Sequence, residues 1–360
     1  MRKNVKVALY SPYLDIFGGG EKHILSILKI FDLYGCEVDL LWNDLEIAGK
    51  IKNDLALNFE HLKIVDNFLI KDNFINKLIK TGHYDYVFYV TNGSYFFSLG
   101  RNNYIFAMVP KKELFQLSMI NKAKLYNWKF ICNSQFTQRL LTSFGINSQY
   151  IYPYINIDSS VLNNKKDKII LTVGRFFPHL HSKNHKKIIE MFKKFKQKSS
   201  LFNDYKLYII GRCDNKDLPY LRDVEESAKQ NDDIVVKVNV SNQELDILYR
   251  KAAIYWHFTG LGVNEAENPE KVEHLGMAPL EAMANKCIVF CFCAGGIKEI
   301  VRDGINGYIF FNETDLYNKM SNIIINHSIQ KELANNASKF IEENFSYKQF
   351  EEKVSKVFNL

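Results

Sequence analysis

Glu273 and Glu281 stand with seven residues between them, and that interval holds a glycine, Gly276, and a proline, Pro279. Proline is favoured at the first position of a helix, so the Ala- and Met-rich stretch predicts a helix starting near Ala278. The first amide groups of such a helix, from Met277 to Leu280, have no partner within it and, with the helix dipole, suit an anion such as a diphosphate. Gly276 lets the backbone come close to that anion. Glu273 is then placed in the loop before the helix and Glu281 in its first turn. A carboxylate beside an anomeric carbon can hold sugar hydroxyls or stabilise an oxocarbenium-like transition state, and a second can accept ribose hydroxyls. A bare glutamate pair at this spacing is more often a helix cap and a solvated side chain, so its neighbours decide.

Those neighbours form a pattern. EHLGMAPLEAMA is followed by an apolar run and then AGGIKEIV, and this succession resembles the donor-site motif of the family 4 retaining glycosyltransferases, which have the GT-B fold. The resemblance implies an α/β protein with two Rossmann-like domains whose parallel sheets face a central cleft. It extends upstream to VGRFFPHLHSKNH, where Gly174 and Arg175 match the family's Gly-Arg and Lys183 opens its Lys-Asn-His. By that match Arg175 and Lys183 bind the donor diphosphate, and a guanidinium and an ammonium both suit phosphate oxygens. In FGGGEKH the resemblance has Gly18, Gly19 and Gly20 approach the donor phosphate and the acceptor, although a glycine turn after a first strand is common in α/β proteins at large. Val238 falls where family members contact the base through backbone, and Tyr152 to Asp158 resembles the interdomain linker.

The match has departures. Many members carry a histidine two residues before the proline that closes a strand of the first domain, and IFAMVP places Met108 there. The segment YWHFTGLGVNEAENPEKVEH is longer than a simple link from strand to motif and resembles a bacterial subset with a Trp-His pair. Its His257 ends a strand, where a histidine is more often structural than a ligand to sugar. Asn285 and Lys286 replace the usual small pair after Glu-Ala-Met-Ala, altering a turn.

The elements that must position these residues read as alternating strands and helices, the signature of parallel sheets covered by helices. In the first half VKVALYS, CEVDLLWN, HLKIVD, YDYVFYV, NYIFAMV and KFICNS are strands, and SQFTQRLLTSFG is a helix capped by Ser134. The pattern breaks at YIYPYINIDSSVLNNKKDK, where proline, polar residues and charge cluster. In the second half KIILTVGRF, KLYIIG, DIVVKVNV, AIYWHF, CIVFCFC and GYIFF are strands. The expected division is residues 1–157 as an acceptor domain, 158–340 as a nucleotide-sugar donor domain, and 341–360 as a helix returning to the first domain.

Composition bounds the rest. The chain has 360 residues, 47% hydrophobic and 24% charged, which fits two ordered domains. A net charge of +7 suits a phosphate-bearing ligand or an anionic membrane surface, without the dense basic stripe of a nucleic-acid binder. Six scattered cysteines form no disulfide framework, and CIVFCFC reads as a buried strand rather than a metal site. No stretch approaches the roughly 18 apolar residues of a membrane helix. Residues 101–129 carry Arg101, Lys111, Lys112, Lys122, Lys124 and Lys129 against Glu113, interleaved with aromatic and aliphatic side chains. A basic helix of that kind can lie on an anionic membrane, and a solvated sheet-covering helix explains it equally well.

The expectation is a cytoplasmic retaining hexosyltransferase, acting at the inner face of the membrane in surface polysaccharide biosynthesis. It moves a sugar from a UDP- or GDP-linked donor to a glycan or lipid-linked glycan, with no cofactor and no obligatory metal. A nucleotide-sugar epimerase, a phosphorylase-like enzyme and a non-catalytic nucleotide-sugar-binding protein are the alternatives, the last suggested by Met108.

Overall fold

The computed structural model describes residues 5–16, 18–157, 165–179 and 181–360. The boundary expected between 157 and 158, with Asp158 of the linker, lies against or outside the described residues. The chain divides into two units, Met1–Tyr154 with Lys348–Leu360, and Ile155–Tyr347.

Unit 1 is built on seven strands: β1 Lys6–Tyr10, β2 Glu37–Leu41, β3 Leu62–Val65, β4 Tyr86–Val90, β5 Asn102–Ala107, β6 Trp128–Cys132 and β7 Ser148–Tyr150. They lie in the order β3-β2-β1-β4-β5-β6-β7, and every pairing is parallel. A sheet covered on both faces buries both sides of each strand, which is why YVFYV and YIFA are continuously apolar. On one face Ile24, Ile27, Leu28 and Phe31 of the helix Gly19–Leu33 enter the core. The C-terminal helix Tyr347–Phe358 joins that core through Phe350, Val354 and Phe358, spaced four apart on one stripe. The Phe358 ring centroid lies 4.8 Å from that of Tyr104, and the Tyr86 hydroxyl donates to the Phe358 carbonyl at 2.8 Å.

Strand β7 has no counterpart in the sequence reading. Its residues, Ser-Gln-Tyr, show neither an apolar run nor an alternation; it forms because β6 offers an open edge, with Phe130 paired to Ser148. Ser134 caps the helix Gln135–Ser143, accepting from the Thr137 amide.

Unit 2 contains β8 Asp167–Val173, β9 Lys206–Gly211, β10 Ile234–Val238, β11 Ala252–His257, β12 Ile288–Phe292 and β13 Tyr308–Phe310. The order is β10-β9-β8-β11-β12-β13, again all parallel. CIVFCFC supplies β12, with Cys287 and Cys291 buried, and all six cysteines of the chain are free. The helix His185–Lys198 presents Ile188, Ile189, Phe192 and Phe195 to the sheet and its lysines to solvent. Strand order reverses between β8 and β11, the position at which doubly wound sheets open a crevice beyond the strand carboxyl ends.

Candidate active site

The two strands beside the reversal in unit 2 end at Val173 and His257, and their following loops carry the acidic and basic residues singled out above. After β8 the chain runs through Gly174 and Arg175 to Lys183, just before the helix His185–Lys198. After β11 it runs through the insertion to Glu273, just before the helix Met277–Ala284.

Lys183 and Glu273 meet, Nζ to Oε2, at 2.6 Å, with side chains 19% and 17% exposed. His257, 2% exposed, brings Nε2 to 3.1 Å from the same oxygen, off the line that a good hydrogen bond requires. Both neighbours thus crowd Oε2. Burial by itself raises the Glu273 carboxyl, but the Lys183 ammonium, followed by His257 and His181, outweighs it and holds the group well below the usual carboxylate range. Burial lowers His257 and keeps its ring neutral, with the Glu273 contact opposing that shift. His181, in the left-handed region at φ 54, donates through Nδ1 to the Val272 carbonyl at 2.9 Å. Its ring stands edge-on to His274 with centroids 4.4 Å apart.

Backbone packing fixes this cluster. The Lys183 stem lies directly over Gly174, where an added Cβ would come within 2.5 Å of its Cγ. Gly211, the last residue of β9, is covered in turn by the Gly174 carbonyl oxygen, which leaves no room for any side chain. The Gly296 amide donates to the Glu273 carbonyl at 2.7 Å, and Glu265 of the insertion accepts from the Gly295 amide at 2.8 Å while pairing with Lys298. The insertion therefore clamps the AGGIKEIV turn under Glu273.

The helix begins at Met277, with Gly276 at its N-cap in the left-handed region, φ 105. The sequence reading had the start near Ala278 with proline first; Pro279 is instead the third helical residue. The unbonded amides at its start also differ from the expectation. Leu280 donates its N–H to the Gly276 carbonyl at 3.2 Å, and Pro279 has none, so Met277 and Ala278 are the first-turn amides without a partner among the described residues. Glu281 lies one position further into the helix than expected, as its fifth residue, outside the first turn. The Tyr249 hydroxyl, from the helix Asn242–Lys251, donates to its Oε2 at 3.0 Å.

Arg175 is exposed, its guanidinium 5.3 Å from the centre of the Phe177 ring, with no carboxylate partner among the described residues. Val238 ends the edge strand β10 opposite Gly211. In unit 1 Gly18 caps the helix Gly19–Leu33, its amide donating to Glu21 Oε2 at 2.8 Å. Gly20 packs beneath the Met108 thioether. The structure therefore brings Lys183, Glu273 and His257 into contact over Gly174, gives Glu281 a separate partner, and leaves Arg175 and the Met277 and Ala278 amides available. Tyr249, Glu265 and His181 were missed by the sequence reading. Nothing in an amphipathic helix or a polar loop marks them, except that Tyr249 falls on the buried stripe of DILYRKA.

Residues 155–356 match the family described as Glycosyl transferases group 1. An uncharacterized glycosyltransferase of Methanocaldococcus jannaschii is 26% identical over 98% of both chains. The GDP-Man:Man(3)GlcNAc(2)-PP-Dol alpha-1,2-mannosyltransferase of Caenorhabditis elegans is 27% identical over 48% of this chain and 37% of its own length. Among solved structures, Anabaena HepE in complex with UDP and glucose superposes with a TM-score of 0.70 at 12% identity, covering 99% of this chain and 100% of that one. The fold is GT-B, with two Rossmann-like parallel-sheet domains.

Proposed function

The chain belongs to the group 1 glycosyl transferases, and from that premise we propose that it is a retaining hexosyltransferase of the family 4 type. Its donor is a UDP- or GDP-linked sugar, and its acceptor a glycan or lipid-linked glycan in surface polysaccharide biosynthesis, met at the cytoplasmic face of a membrane. HepE was solved with UDP and glucose, which supports a nucleotide-sugar donor.

The observation that carries this reading is the division of labour on Glu273. Its Oε2 is held between Lys183 and His257, which leaves Oε1 to face a sugar as a fixed negative charge. As the bond from the anomeric carbon to the diphosphate breaks, positive charge grows on the sugar ring and the electron pair passes to the diphosphate oxygen. Glu273 stabilises the first. Arg175, Lys183 and the amides of Met277 and Ala278 stabilise the second. The acceptor hydroxyl bonds to the anomeric carbon on the face the diphosphate leaves, giving up its proton to the departing phosphate oxygen. These positive groups meet the diphosphate without an obligatory metal. Glu281, oriented by Tyr249, accepts the ribose hydroxyls; Val238 meets the base through backbone, and Gly18 to Gly20 approach the donor phosphate and the acceptor.

The test is to incubate the protein with UDP- and GDP-hexoses and a panel of glycan and lipid-linked acceptors, reading the anomeric configuration of any product by NMR. Transfer with retained configuration, reduced at least about 100-fold in Glu273→Gln and Arg175→Ala of unchanged circular dichroism, is the expected result. An inverted product, or full activity in either variant, would refute the assignment.

A further inference from the structure

The basic stretch before β6 is not one helix. Lys112–Phe115 forms a single 3-10 turn and Met119–Lys124 a short α-helix. Phe115 and Trp128 point inward to the core of unit 1, whereas Met119, Ile120 and Tyr126 are 89%, 68% and 93% exposed. A second element on the same layer behaves alike. In the helix Phe74–Thr81, FINKLIKT, the residues Phe74, Ile75, Leu78 and Ile79 share one face. A helix that covers a sheet buries such a face, yet Phe74, Ile75 and Ile79 are exposed and Thr81 is its one buried residue. The two elements are joined through residues 98 and 99. The Leu99 amide donates to Thr81 Oγ1 at 3.1 Å, and Asn127 Nδ2, next to Tyr126, donates to the Ser98 carbonyl at 2.8 Å.

Charge is distributed unevenly over this layer. Residues 66–129 hold nine lysines and arginines against four aspartates and glutamates. Asp66, Asp72 and Asp85 are each taken by one cation, Lys71, Lys80 and Arg101. Lys77, Lys111, Lys112, Lys122 and Lys124 reach no carboxylate within 4.0 Å among the described residues. Unmatched ammonium groups therefore stand beside apolar side chains that project outward from two separate elements. A protein partner would need a matched concave surface for such projections. A bilayer needs no matched shape: its phosphates meet the lysines while its acyl boundary receives the apolar tips, the lysine stems spanning the two depths.

We propose that this face of unit 1 docks on an anionic lipid bilayer, with Phe74, Ile75, Met119 and Ile120 entering the interface and the five unmatched lysines holding lipid phosphates. The inference rests on the membrane contact proposed above and names the surface that makes it; it does not depend on sugar transfer.

The full-length protein is sedimented, without donor, with vesicles of phosphatidylcholine alone or mixed with phosphatidylglycerol. Binding to the mixed vesicles only, weakened by salt, is expected. Reversing Lys111, Lys112, Lys122 and Lys124 to glutamate, or making Phe74→Asp with Ile120→Asp, should each weaken it at least about tenfold. These positions are exposed, apart from Lys124, which is half-buried, so both variants should keep the parent melting temperature, and the stabilisation by added UDP or GDP should persist in them. No binding to anionic vesicles, or binding that both variants retain, overturns the proposal. So does self-association of the parent protein that Ile120→Asp abolishes, because the face would then be a protein contact. Vesicle binding in a protein that neither UDP nor GDP stabilises would sink the transferase reading and leave the docking face standing.

Discussion

Beside β1 in unit 1 and beside β8 in unit 2 the same topological event occurs, a reversal of strand order in an all-parallel sheet. The two places are furnished differently. At the end of β1 stand a glycine turn, the Met108 thioether over Gly20, and stacked Tyr10 and Tyr89 rings 5.5 Å apart. At the end of β8 stand an ion pair, a buried neutral histidine and a backbone stacked on backbone at Gly211. One fold supplies the position twice, and the loops decide whether it holds soft, adaptable groups or fixed charge. The polar version depends on every partner being present, since a buried charge or carbonyl has no substitute for what it loses, whereas a thioether or an aromatic ring can shift.

The sharpest way to break that contrast is Gly211→Ala. The new methyl would overlap the Gly174 carbonyl oxygen, a backbone atom anchored by the Gly174 amide on the Ile210 carbonyl at 2.9 Å. A loss of about 4 kcal/mol or more in urea unfolding is expected.

Lys183→Met comes next. It leaves Glu273 without its ammonium, and since both side chains keep some exposure, at 19% and 17%, the expected loss is about 2–3 kcal/mol, below the range for fully buried pairs. Adding Glu273→Gln should recover at least half of it; no recovery would mean that the charge is not the source.

Acidification gives a smaller effect with a definite sign. Burial depresses His185 and His23 to about 3 and lowers His181 and His257. A histidine held neutral when folded loses stability as its unfolded counterpart gains a proton below about 6.5, so stability falls as pH drops through that value. At pH 5.5 the loss is about 1.4 kcal/mol each for His185 and His23, with His181 and His257 adding in the same direction. Glu273, depressed in the folded state, adds its own loss only below the ordinary carboxylate range. Three of these histidines lie in unit 2 and one in unit 1, so Trp256 fluorescence should report a larger drop than Trp42. Equal drops would erase the distinction.

Smallest is Gly20→Ala in unit 1. The added methyl meets the flexible end of Met108, which can rotate away, so about 1 kcal/mol or less is expected. A cost matching that of Gly211→Ala would show that the unit 1 turn is as tightly built as its counterpart.

Much of the fold was legible. Six strands of unit 2 and six of unit 1 were readable because strands buried on both faces are continuous apolar runs, whatever their neighbours. β7 was not, since Ser148–Tyr150 is held by an edge and not by its own hydrophobicity. Within the site, Gly276 and the helix after it were legible from Gly and Pro. The spent amide of Leu280 and the second-turn place of Glu281 were not, because a shift of one residue in a helix start moves which groups are bonded.

What the sequence determined by itself is therefore local: two runs of parallel strands, a loop entering a helix through a left-handed glycine, and the charges near it. Only the tertiary structure decided that Lys183, 90 residues from Glu273 in the chain, holds the same carboxylate oxygen that His257 faces. The physical reason is that backbone propensity and apolar periodicity act over a few residues, whereas the approach of two loops is set by sheet order and by carbonyls packed on glycines. Seven residues between two glutamates could announce a site. Which oxygen of Glu273 is crowded by Lys183 and His257 depended on β8 and β11 lying side by side.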